Sequence, residues 1–152
     1  MAGATVEIDT KEVFSLSNML SGMELSSEDR SELLSELGVE AESQTQERFD
    51  TKVAPDGIKW NGIAEATRAY YAKRHPGARP PLVVSGSLRD TIESQKKGSW
   101  EVLVGATKEY AAVHQYGFKK RNIPARPFLG VSLDDETGLA AITRDFIRRR
   151  TR

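Results

Sequence analysis

Apolar residues in this chain form two helical stripes separated by shorter, mixed runs. Leu33, Leu34, Leu37, Ala41, Thr45 and Phe49 recur at three- and four-residue intervals, which places them on one face of a helix. Ser26 stands three residues ahead of Asp29, a capping arrangement for its first turn. The spacing predicts one helix over residues 27–49, about 35 Å long at 1.5 Å per residue, with a very acidic outer face. Gly38 lies inside the stripe and is expected to weaken the helix by roughly 1 kcal/mol relative to alanine. The second stripe is Leu139, Ile142 and Phe146. Asp134, Asp135 and Glu136 precede it and Arg148, Arg149 and Arg150 close it, an order that matches the helix dipole.

Between and before the stripes the elements are shorter. Residues 4–8 alternate weakly and predict a strand. Val13, Phe14, Leu16, Met19 and Leu20 predict a short helix that Gly22 ends. Pro55, Asp56 and Gly57 make a turn, and Trp60 is expected to anchor it to the body. Residues 63–74 predict a helix with Ile63, Ala66 and either Ala69 or Tyr70 facing inward, ended by His75, Pro76 and Gly77. Residues 82–84 read as a brief strand or a buried linker, and Ser85 or Ser87 opens a helical turn through Leu88, Arg89 and Ile92. TIESQK and WEVLVG predict a hairpin about a Gly98 turn, with Trp100, Val102 and Val104 on one face. Residues 109–116 predict two helical turns stopped by Gly117. Pro124 and Pro127 predict an extended crossing, continued by Phe128, Leu129 and Val131 as an edge strand. The expected fold is α+β over a single domain, residues 1–152. A small antiparallel sheet packs against one long helix in the N-terminal half and a C-terminal helix.

Charge changes this picture. The 22 basic and 22 acidic side chains cancel, but they are segregated. Residues 1–50 hold 12 acidic and 3 basic side chains, and residues 51–133 hold 6 acidic and 14 basic. Opposed patches of this kind orient association. They predict pairing either between copies of the chain, where a closing rotation gives a ring, or within one chain. At 152 residues and 38% hydrophobic composition, the chain has the make-up of an ordinary globular protein. No run approaches the length that crosses a bilayer, so no membrane partner is expected. The start, MAGATVEID, lacks a basic and then apolar stretch, so no secretory signal is expected.

Candidate chemistry is sparse. The chain has no cysteine and only two histidines, His75 and His114, which excludes thiolate sites and an all-histidine zinc site. A histidine suits general-base work, but no serine and carboxylate are tied to His114 by a recognised pattern, and it reads as structural or interfacial. Asp134, Asp135 and Glu136 lack the alternation and glycine of a calcium loop. Gly105, Gly117 and Gly130 form no nucleotide-binding motif. No catalytic residue, metal or cofactor is therefore expected. Lys119, Lys120 and Arg121 make a basic loop that suits an interface, or phosphate contact if DNA is the partner.

Four blocks in order carry a family resemblance: SQTQERFDTKVAPDGIKWNGI, PLVVSGSLRDTI, VGATKEYAAVHQYGF and NIPARPFLGVSLDD. They resemble the phage virion morphogenesis family, the tail-completion or neck group of Mu-like phages and prophages. The YAAVHQYG and IPARPFLG pair is the most specific element. By position, Arg48, Phe49, Asp56, Gly57 and Trp60 match the first block, and Ser85, Gly86, Leu88 and Arg89 the second. Tyr110, Ala111, His114, Gln115 and Gly117 match the third. Pro124, Ala125, Arg126, Pro127, Phe128, Leu129 and Gly130 match the fourth. Among these, Phe128 is expected as a core anchor, Gly117 as a helix stop and Arg126 as the partner of a buried carboxylate or carbonyl. The resemblance implies a non-enzymatic structural protein that completes the tail or joins it to the head, acting at the virion neck or tail end after assembly in the bacterial host cytoplasm. Its implied partners are further copies of itself and tail-tube or head-connector proteins. The alternative is a DNA-contacting neck or packaging accessory protein.

Overall fold

Ser26 opens the long helix with a reciprocal cap. Its hydroxyl accepts from the Asp29 amide at 3.0 Å while the Asp29 carboxylate accepts from the Ser26 amide at 3.4 Å. The computed structural model describes residues 4–9, 25–77 and 81–150, and in it this helix, α1, spans Ser27–Thr51. Lys52 ends it in the left-handed region, at φ 59°, with its amide on the Arg48 carbonyl at 2.8 Å. The short helix expected at Val13–Leu20 lies outside the described residues.

Three strands form one antiparallel sheet. They are β1 (Ala4–Asp9), β2 (Ile92–Lys97) and β3 (Glu101–Ala106), in the order β1-β3-β2. The hairpin register pairs Ile92 with Ala106 and Lys97 with Glu101, as the spacing about Gly98 requires. Val102 and Val104 are buried, but Trp100 lies before the strand and is exposed, with the Arg30 guanidinium 4.9 Å from its ring centre. Trp100 therefore covers the start of α1 instead of entering the core.

The remaining helices are α2 (Glu65–Arg74), α3 (Ala111–Tyr116) and α4 (Leu133–Arg150). Single 3-10 turns occupy Arg89–Thr91 and Lys119–Arg121. Two apolar clusters meet at α1. Leu34, Ala41 and Phe49 face the sheet and Phe128, while Leu33 and Leu37 join Leu139 and Phe146 of α4. Every residue of the predicted α1 stripe is buried. Gly38 has a reason the stripe did not reveal. A Cβ there would stand 2.6 Å from Ser94 Oγ and 3.1 Å from Ser94 Cβ, so the glycine lets α1 approach β2.

Two expectations are corrected. Residues 128–131 form no strand, because side chains and not a neighbouring strand satisfy the Phe128 and Leu129 amides. In α2 no residue is buried, and Ala66, Ala69 and Tyr70 are exposed. Ile63, just ahead of the helix, is half-buried in line with the expectation, and within the helix Thr67 and Tyr71 are the half-buried positions instead of Ala66, Ala69 and Tyr70.

Part of the acidic face of α1 is engaged within the chain. Arg149 bonds Glu36 at 2.6 Å, and Arg150 reaches Asp29 at 3.0 Å and also pairs with Glu32. Lys96 of β2 donates to Ser31 Oγ at 2.7 Å and Ser35 Oγ at 3.2 Å.

Candidate functional site: a buried polar clasp and an adjoining cleft

Pro124 and Pro127 keep residues 123–130 out of regular structure, so their backbone polar groups need other partners. Backbone supplies those at Ile123, which pairs with Phe118, and at Arg126, whose amide bonds the His114 carbonyl at 2.7 Å, and side chains supply those from Pro127 to Leu129. Gln115 of α3 accepts from the Phe128 and Leu129 amides at 3.0 Å each, and its amide nitrogen donates to the Leu129 carbonyl at 3.0 Å. Trp60 Nε1 donates to the Pro127 carbonyl at 2.7 Å. Arg48 Nη1 donates to the Phe128 carbonyl at 3.1 Å while its Nη2 pairs with Asp135. Phe128 is fully buried, its ring centre 5.2 Å from that of Phe49, which itself meets Trp60 edge-on at 5.5 Å.

Asp135 does two jobs. With Ser132 it forms the capping box of α4, accepting from the Ser132 amide at 2.7 Å and donating its own amide to Ser132 Oγ at 3.1 Å. The same carboxylate neutralises Arg48 in a buried site. Burial pulls the Arg48 guanidinium below its ordinary pKa, and Asp135 pushes it back up. The sequence reading took Asp134, Asp135 and Glu136 only as a helix start or a carboxylate cluster. The Ser132-x-x-Asp135 spacing is a cap signal that the helix-start expectation did not use, and nothing local marks a cation 87 residues away.

Arg126 meets two carbonyls of exposed residues ahead of α2. Its Nε donates to Asn61 and its Nη2 to Gly62, both at 2.8 Å, which pins the stretch ahead of α2. Gly117 stops α3 at φ 76°, and a Cβ there would lie 2.8 Å from the Ala125 amide nitrogen, so the chain reverses tightly into the crossing. Pro124 is half-buried and Ala125 exposed in that crossing. Gly130 abuts Pro55, and Ala111 and Leu88 are core residues. Asp56 caps its own turn by accepting from the Ile58 amide at 2.9 Å, and Gly57 holds φ 82° there. Arg89 reaches Asp50 at 3.5 Å, and the Gly86 carbonyl accepts from the Asp90 amide at 3.0 Å. These positions support the fold and do not converge on a reacting atom.

Beside the clasp lies a cleft of about 420 Å³ between α2, residues 81–88 and α3. Ser85, Ser87 and Tyr110 form a chain of hydroxyls at its rim, each link 3.0 Å. His114 lies 5.9 Å edge-on from Tyr110, and its buried Nδ1 has no hydrogen-bond partner. Burial first, and the Arg126 charge second, hold the imidazole below its ordinary pKa. Thr67 and Tyr71 of α2 form the facing wall, and neither was marked by a sequence motif. Lys119, Lys120 and Arg121 sit outside the cleft on an exposed turn, with Arg121 6.0 Å from the centre of the Phe118 ring. Among the described residues no group of three His, Asp or Glu side chains is placed to hold a metal, and no helix is long and apolar enough to cross a membrane.

Comparison with known proteins gives the clasp its context. The phage virion morphogenesis family matches residues 11–148. The chain is 34% identical over 100 residues to Mu-like prophage FluMu G protein 1 of Haemophilus influenzae, covering 65% of this chain and 66% of that protein. It is 37% identical over 73 residues to FluMu G protein 2 of the same organism, covering 45% and 52%. The putative capsid assembly protein G of Escherichia phage Mu is 32% identical over 117 residues, covering 71% and 70%. The chain thus spans about two thirds of the first of these relatives and about half of the second. No solved structure gives a significant match. The four ordered blocks fold into the clasp and the turns around it, and with the family match along almost the whole chain they lead to one conclusion: the chain belongs to the phage virion morphogenesis family, with a structural role in phage morphogenesis.

Proposed function

We propose that this protein is a non-enzymatic subunit that completes the phage tail or joins it to the head, working by contacts at the virion neck or tail end after assembly in the host cytoplasm. The observation that carries this reading is how the signature residues are used. Arg48, Gln115, Arg126, Trp60 and Phe128 are all committed to holding the 123–130 crossing. The adjoining turn is displayed in turn, with Tyr116 and Phe118 exposed beside Lys119, Lys120 and Arg121. Neither Lys119 nor Lys120 pairs with a carboxylate among the described residues. Since Arg149 and Arg150 already occupy acids of α1, the basic turn is better served by a tail-tube or head-connector protein than by α1 of a second copy. Copies of the chain associate through other faces, as a ring if the rotation closes.

Lys119→Glu, Lys120→Glu and Arg121→Glu made together test the reading. Light scattering with and without candidate tail-tube and connector proteins, and complementation of a phage lacking the gene, should show a folded protein that no longer joins. Normal assembly by this variant refutes the basic-turn contact. The same turn favours the alternative of a DNA-contacting neck or packaging accessory protein. A duplex titration over a salt series separates the two, because phosphate contacts lose affinity steeply with salt.

A further inference from the structure

Helix α2 is ten residues long and buries none of them. Isolated helices this short are marginal in water, so its exposed state calls for something that covers it. Its half-buried residues Thr67 and Tyr71, with Ile63 just ahead of the helix, form one wall of the 420 Å³ cleft, a volume in the range of ligand pockets. Leu82 in the opposite wall holds φ 64°, a left-handed conformation that a branched apolar residue adopts at a cost and that clusters at functional sites.

The polar part of the cleft has one sign. Arg126 gives Nε and Nη2 to backbone carbonyls and keeps Nη1 without a hydrogen-bond partner among the described residues. Tyr110, Ser87 and His114 add hydrogen-bonding groups, and among the described residues no Asp or Glu lines the cleft. One cation, several hydroxyls and apolar walls are the complement of a carboxylate flanked by apolar groups. In a second copy of this chain, Asp29, Glu32 and Glu36 of the acidic helix are already paired with its own arginines.

We infer that the cleft under α2 docks an acidic peptide segment of a different protein, one aspartate or glutamate accepting from Arg126 Nη1 while neighbouring apolar side chains cover Ile63, Tyr71 and Leu82. The inference rests on the proposed role through contacts, but it uses a surface separate from the basic turn. The test is an amide chemical-shift titration of the full chain with the peptide Ac-Ala-Leu-Asp-Phe-Leu-Ala-NH2 and its Asn counterpart. Saturable shifts at Thr67, Tyr110 and His114 are expected, with the Asp peptide bound roughly tenfold tighter, the worth of one charge-assisted hydrogen bond. Thr67→Glu should abolish binding while the rest of the spectrum is unchanged, and Thr67→Lys should retain it. The Lys119, Lys120 and Arg121 triple reversal should bind the peptide as the wild type does, even where it no longer joins tails, so the two surfaces fail separately. No saturable shift, equal affinity for both peptides, equal loss in both Thr67 variants, or displacement of the peptide by a short DNA duplex each overturns the inference.

Discussion

Removing the Asp135 carboxylate tests the clasp most directly. The Arg48 and Asp135 side chains are 8% and 12% exposed, so solvent screens their attraction little. Asp135→Ala strands the Arg48 guanidinium with only the Phe128 carbonyl as acceptor and removes the side-chain acceptor for the Ser132 amide. Breaking a buried pair from one side costs about 3–5 kcal/mol, and loss of the carboxylate arm of the α4 capping box falls within that range because one group does both jobs, while Ser132 Oγ still accepts from the residue 135 amide. Arg48→Met should cost about 3 kcal/mol, since it leaves Asp135 buried without its cation and the Phe128 carbonyl without a donor. The double variant carries no stranded charge and should lose less than the sum, with a coupling of about 2 kcal/mol. Urea unfolding of all four proteins, followed by far-UV circular dichroism at constant m, supplies the cycle. A loss below about 1 kcal/mol for Asp135→Ala, together with coupling near zero, would show that the ion pair does not hold the crossing to α4.

Three further outcomes follow from the same structure. Phe128→Ala should destabilise by about 3–5 kcal/mol, as for any fully buried phenylalanine, and a denaturant-measured loss under 1 kcal/mol would place the ring outside the core. Gly38→Ala improves helix propensity by about 1 kcal/mol but drives a methyl into Ser94, so a net loss of about 1–2 kcal/mol is expected; Ser94→Gly in the same chain should restore it. His114 is held below the imidazole value of 6.5, so the unfolded chain binds the extra proton first as the pH falls. Its contribution is present above pH 6.5 and is lost below it. Melting temperatures between pH 7 and pH 5 should therefore fall less steeply in His114→Gln, and an identical slope would remove His114 from the account.

Much of the fold was legible because periodicity reports which side chains share a face. Leu33 through Phe49 marked α1 and its buried side, and Ser26 with Asp29 marked its start. The hairpin about Gly98 was legible from strand-length runs on either side of a glycine. Residues 128–131 misled the reading, because a short apolar run after a proline looks the same whether a strand or a glutamine side chain satisfies its amides. Residues 63–74 misled it for the opposite reason. With small and aromatic residues all around the helix, periodicity could not choose its face, and α2 turns Thr67 and Tyr71 to the cleft beside Ile63.

The sequence by itself determined the two long helices, the hairpin, the segregation of charge and the ordered blocks that carry the family. These depend on near neighbours and on spacing along the chain. Only the tertiary structure decided that Asp29, Glu32 and Glu36 of α1 meet Arg149 and Arg150 of their own chain, that Asp135 completes Arg48, and that Gly38 clears the way for Ser94. Each of those joins groups more than fifty residues apart. Burial gives such contacts their energy, and burial exists only once the elements have packed.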